Sequence, residues 1–207
     1  MAFPPVFRML KNMKRMGRLP VATLVILGLN LLGLIYEVIS GWKLGFSRMF
    51  SLYNPAIYQF FMYQGALQAG EWPRLIVSAF LHFGILHFLS NMFCLVMYGL
   101  SLEFRIGSLK FSLIYLAALL GSGLLINYAG ANGAHAGASG AIWGLMAAMV
   151  VYSLRNGMNP LYALRGIAIN LIYSFTAGIS WQGHIGGGIV GLAAALILLR
   201  DNNQRYW

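Results

Sequence analysis

The chain has 207 residues, 59% of them hydrophobic and only 9% charged, against about 45–50% and about 25% in an ordinary soluble domain. That composition excludes a water-soluble globule. The net charge of +10 comes from 14 Lys and Arg against four acids, too few charges for a solvated basic face, so no nucleic-acid partner is expected. The single cysteine, Cys94, rules out an internal disulfide and a thiolate metal cluster.

A bilayer core about 30 Å thick needs about 20 mostly apolar residues per helix. Six runs meet that need, at residues 21–40, 75–99, 109–128, 137–154, 161–180 and 183–199. The fold expected is an all-α polytopic membrane protein: a basic N-terminal tail (1–20), a six-helix membrane domain (21–199) and a short C-terminal tail (200–207). Arg8, Lys11, Lys14, Arg15 and Arg18 precede the first run without a small-residue cleavage site after it, so it reads as a retained anchor and not a signal peptide. Arg165 and Asn170 interrupt the fifth run. Eleven of the 14 basic residues fall in the two tails and the connections after the second and fourth runs. By the positive-inside rule both termini are cytoplasmic. The connection 41–72 then lies outside; it is rich in Trp, Tyr and Phe, and a partly embedded interfacial structure is expected there, with a plain linker as the alternative.

Polar residues inside a bilayer are costly, so they point to function. The candidates are His82, His87 and Asn91 in the second run, Ser139 in the fourth and His184 in the sixth. His87, Ser139 and His184 each stand 16 residues before the charge that ends their run, namely Glu103, Arg155 and Arg200. At about 1.5 Å per residue all three share a level about 24 Å above the inner boundary. Ser139 lies between Gly137 and Gly140 at a helix start, where free N–H groups can stabilise an oxyanion. A serine bonded to its own helix is the bland alternative. His184 heads a ridge of glycines at 183, 187 and 191 that lets a neighbouring helix approach; a histidine bonded across helices for structure alone remains open. His87 and Asn91 share a helix face, whereas His82 and His87, five apart on the same run, diverge by about 140°, which disfavours a metal pair.

No metal site and no cofactor are expected, since four histidines and one cysteine show no ligand spacing. Glu37, Glu71, Glu103 and Asp201 are the only carboxylates and none sits at the shared level. A Ser-His-Asp triad and a paired-carboxylate site are thereby excluded, leaving Ser139 and His184 as a dyad with donors from His87 and Asn91. His135 is a weaker candidate base because its surroundings are turn-like, and Cys94 reads as packing.

These residues carry a resemblance. His87-x-x-x-Asn91, Gly137-x-Ser139-Gly140 and His184-x-x-Gly187-x-x-x-Gly191, in this order on the second, fourth and sixth runs, resemble the rhomboid intramembrane serine proteases. Gly70-Glu71-Trp72-Pro73-Arg74 and Gly99, Glu103 and Gly107 are similar too, although the family's Trp-Arg pair reads Pro73-Arg74 here. The resemblance implies a rhomboid-like bundle. It implies Ser139 as nucleophile, His184 as general base, and His87, Asn91 and the Ser139 N–H as oxyanion donors. Trp143 takes the place of the family's aromatic stacked on the base, and His82, Gly137, Gly140 and Gly187 are supporting positions. The activity implied is cleavage of transmembrane protein substrates near the outer face of the lipid bilayer, and a bacterial cytoplasmic membrane is the expected location. A non-catalytic rhomboid-like scaffold that binds membrane helices is the alternative. A small transporter is a third reading, disfavoured because no inverted halves are visible.

Overall fold

The structure, a computed structural model, describes residues 19–129, 133–176 and 181–200. The basic cluster from Arg8 to Arg18, Ser180, Asp201 and Arg205 lie outside the described residues. The described chain is helical, with no strand beyond the isolated bridge of Met62 to His135. Helix α1 spans Val21–Gly41; three short helices, α2 (Phe46–Met49), α3 (Pro55–Phe60) and α4 (Arg74–Val77), follow in the long connection. Then come α5 (Ile85–Ile106), with a π-helical turn at Leu95–Gly99, α6 (Ser108–Tyr128), α7 (Ser139–Arg155), α8 (Leu161–Thr176) and α9 (Trp181–Leu198). By length and composition α1, α5, α6 and α9 can each cross a membrane; α7 and α8 are apolar but shorter.

One expectation needs correcting. The second run does not begin a continuous helix at residue 75. After α4 the chain makes a tight turn, Ser78–Phe80, then an extended stretch, and α5 starts only at Ile85. Gly84, at φ 118°, is the cause, because a positive φ cannot continue a right-handed helix. His82 therefore lies on the extended stretch and not on the helix that bears His87, so the helical angle between them does not apply. The fourth run likewise becomes helical only at Ser139, after Gly137 at φ 130°.

Helix α7 is the centre, buried along most of its length, with α6 and α9 against it. Backbones touch there because glycines remove the side chains between them. A Cβ on Gly187 or Gly191 would strike the backbone of Gly140 or Gly144, and one on Gly186 the carbonyl of Gly121. Between helices in lipid there is no hydrophobic driving force, so this close fit carries the association. By contrast α1 turns Leu24, Val25, Leu29, Leu31 and Leu32 outward, as suits a lipid-facing surface. Its start is held by Glu103 of α5, whose carboxylate accepts from Ala22 N (2.9 Å), Thr23 N (2.8 Å), Thr23 Oγ1 (2.6 Å) and Ser108 Oγ (2.6 Å). A carboxylate at a helix N-terminus satisfies its free N–H groups and its dipole together.

The connection between α1 and α5 is irregular but tied at many points. Met62 and His135 exchange backbone hydrogen bonds of 2.7 and 2.8 Å. Asn127, at the end of α6, accepts from Leu67 N and donates to Gln68 Oε1. Arg74 pairs with Glu71 at 2.6 Å and donates to the Tyr58 and Phe61 carbonyls, so the arginine after Pro73 acts as a clip for this loop. The Tyr63 hydroxyl donates to Glu71 at 2.7 Å and, with Arg74 behind it, holds that carboxyl below the usual carboxylate range.

Gly187→Val should destabilise the protein by about 1–3 kcal/mol, since the added carbons meet backbone that cannot step aside; a thermal melt indistinguishable from wild type would count against the close fit. A carboxyl depressed on folding adds stability above its ordinary titration range, which disappears as pH falls through the depressed value. Glu71→Gln should therefore melt below wild type near neutral pH, and the gap should close in acid. A gap that widens in acid would contradict this sign.

Candidate active site

Ser139 is the first residue of α7, and His184 sits one turn inside α9. Because Gly140 lies against the Gly183 carbonyl and the Gly187 backbone, the two helix starts meet and His184 Nε2 stands 2.8 Å from Ser139 Oγ. One turn along α7, the Trp143 ring stacks on the His184 imidazole, with centroids 5.1 Å apart and planes 11° from parallel. The imidazole is 4% exposed. A hydroxyl at this distance from a ring nitrogen can pass its proton to it, and a ring held by stacking loses little freedom when it does so.

His87 and Asn91 reach the same place from α5. A Cβ on Gly137 would fall 2.8 Å from His87 Cε1, 3.0 Å from His87 Nε2 and 3.4 Å from Asn91 Nδ2. Only glycine fits there, both for that space and for its positive φ. Gly137 N donates to the Ser78 carbonyl at 2.9 Å, which fixes the turn just before Ser139. His87 Nε2, Asn91 Nδ2 and Trp143 Nε1 are buried without a hydrogen-bond partner among the described residues. Buried donors of that kind suit a group that arrives with the reactant.

A cavity of about 760 Å³ opens onto Ser139 and His184. Many of its walls are small residues: Ser78, Ala79, Ser122, Gly133, Ala134, Ala136, Gly137 and Gly183. Phe46, Phe50, Phe83 and Met62 line it as well. A second, smaller hollow lined by Ser90, Asn91, Cys94 and Asn170 also touches Ser139 and His184. The start of helix α7 at Ser139 leaves its first N–H groups without intrahelical acceptors.

Of the residues singled out in the sequence, Ser139, His184, Trp143, His87, Asn91, Gly137, Gly140 and Gly187 come together. His82 packs its ring edge against His87, with centroids 5.2 Å apart. His135 enters the site through its backbone bridge to Met62 and as part of the cavity wall. Cys94 is half-buried beside Asn170. No group of three or more His, Cys, Asp or Glu suited to a metal occurs among the described residues. Sequence reasoning missed Glu37, which is fully buried on α1 and accepts a hydrogen bond from His82 N.

A profile of the Rhomboid domain matches residues 69–201. Among curated relatives, the Rhomboid-type serine protease 2 of Emericella nidulans is 33% identical over 141 residues, covering 64% of this chain and 28% of the relative. RHOMBOID-like protein 6, mitochondrial, of Arabidopsis thaliana is 36% identical over 140 residues, covering 64% and 46%. Rhomboid protease GluP of Bacillus subtilis is 38% identical over 138 residues, covering 62% and 26%. The aligned part thus spans less than half the length of each of these relatives. The matched segment contains α5 to α9 with every residue of the constellation, and the chain belongs to the rhomboid family.

Proposed function

We propose that the protein is an intramembrane serine endopeptidase that cleaves transmembrane segments of membrane proteins near the outer face of the bilayer. The observation that carries this reading is the 2.8 Å contact of His184 Nε2 with Ser139 Oγ at the floor of a cavity. In the proposed reaction Ser139 Oγ attacks the substrate carbonyl as its proton passes to His184 Nε2. The charge on the carbonyl oxygen is received by the Ser139 N–H at the start of α7, by Asn91 and by His87. His184 then returns the proton to the leaving amine, and an acyl group stays on Ser139. Water from the cavity gives a proton to His184 and adds to the acyl carbon; the ester C–O bond then breaks, the carboxylic acid leaves, and Ser139 Oγ takes the proton back from His184. In this scheme stacking on Trp143 orients the His184 ring.

The substrate must present an extended bond to the serine, so helix-breaking or small residues near its outer end should favour cleavage. The same reading takes α7 and α8 as spans, giving six, with the membrane domain at 21–199 and both termini cytoplasmic. A bacterial cytoplasmic membrane is part of the reading on the strength of the sequence alone.

The test uses full-length protein in detergent with a fluorogenic transmembrane peptide. Ser139→Ala and His184→Ala should each abolish turnover with thermal melts unchanged; turnover retained in either would remove the dyad. Asn91→Ala should lower kcat by about 10²–10³, or about 2.7–4 kcal/mol, with little change in KM. A wild-type kcat in that variant would take Asn91 out of the oxyanion site.

A further inference from the structure

Glu37 is a buried acid that the dyad leaves unused. It sits on α1 with no exposed surface, and its two oxygens differ. Oε1 accepts from the backbone N–H of His82, while Oε2 has no partner among the described residues. The backbone carbonyl of the same residue accepts from Asn54 Nδ2 at 2.8 Å, and Asn54 in turn caps α3 through Ala56 N at 2.9 Å. One residue of α1 is therefore bolted both to the loop outside and to the extended stretch that leads into α5.

That stretch has no hydrogen-bond ladder of its own, because Gly84 keeps it out of the helix. Its position decides where the His82 ring lies. The ring is wedged edge-on between His87, at 5.2 Å, and Phe88, at 5.3 Å. His87 in turn rests on Gly137, two residues before Ser139. The contacts thus run from Glu37 through the His82 backbone and ring to the His87 ring, and on to the turn that presents the serine.

We propose that Glu37 is a positioning residue for the reaction: its carboxyl oxygen, by holding the His82 N–H, sets the His82 ring and through it the place of His87 beside the oxyanion. This rests on the reading of Ser139 and His184 given above. The function needs an acceptor oxygen at that point and not a charge. Removing the acceptor leaves a buried N–H unpaired and frees the stretch to shift, and a misplacement of about 1 Å at a reacting centre can cost about a hundredfold in rate. Substrate binding, which the cavity walls govern, should change little.

The experiment compares wild type, Ser139→Ala, Glu37→Gln and Glu37→Leu as full chains in detergent, reading kcat, KM and the thermal melt. Glutamine keeps the acceptor; leucine keeps the bulk and loses it. Expected is a fall in kcat of about tenfold to a hundredfold in Glu37→Leu with KM within about twofold, and near wild-type kcat in Glu37→Gln. A wild-type kcat in the leucine variant would overturn the assignment. So would a glutamine variant that melts normally but turns over as slowly as leucine. Should the leucine chain not fold, the glutamine chain decides alone. Cleavage that survives Ser139→Ala would instead remove the underlying reading, so the two failures are told apart by that one control.

Discussion

Where Gly140 meets Gly187 and Gly144 meets Gly191, α7 and α9 approach with no side chain between their backbones, and this closeness sets the 2.8 Å separation of Ser139 and His184. In water such a contact would be a minor part of a hydrophobic core. In lipid, where apolar surface gains nothing by leaving its neighbours, shape fit between small residues is a main source of helix association. The same glycines leave the Ser139 hydroxyl uncovered at the head of α7. Packing and the Ser139–His184 geometry thus depend on one set of absent side chains, and a methyl group at either crossing would disturb both.

A second constraint acts from the outside. The segments that frame the site, 81–84 and 133–137, are not helical, and buried backbone outside a helix needs partners or water. Here partners come from unrelated parts of the chain. Ser78 O takes the Gly137 N–H, Met62 and His135 bind each other, and Glu37 takes His82 N. The long connection after α1 is thus a brace for the site and not a linker, clipped to itself by Glu71 and Arg74 and to α6 by Asn127. The opening at the site is in this way compatible with a fixed geometry.

Much of this was legible in the residues, and the reasons are physical. The glycine spacing of 183, 187 and 191 announces a close helix crossing, and equal counts from polar residue to terminating charge place three side chains at one level. Helical character follows from long apolar runs, whose ends the structure shifts by a few residues except in the second run, where 75–99 becomes a helix over Ile85–Ile106. The break before α5 was hidden because an apolar stretch stays apolar whether extended or helical, and only Gly84 hints at the change. His82 was misplaced for that reason. Glu37 escaped notice because its partner is a backbone N–H 45 residues away, which carries no side-chain signature. Glu103 stood out as a family position, but its role as a cap on α1 required the fold to bring Ala22 and Thr23 to it.

The most direct measurement of the central claim is intact-protein mass spectrometry after exposure to a fluorophosphonate, followed by mapping of the adduct. A hydroxyl activated by the imidazole beside it should give one adduct, on Ser139, that forms far more slowly in His184→Ala. Labelling at another residue, or equal labelling of Ser139 with and without His184, would contradict the account.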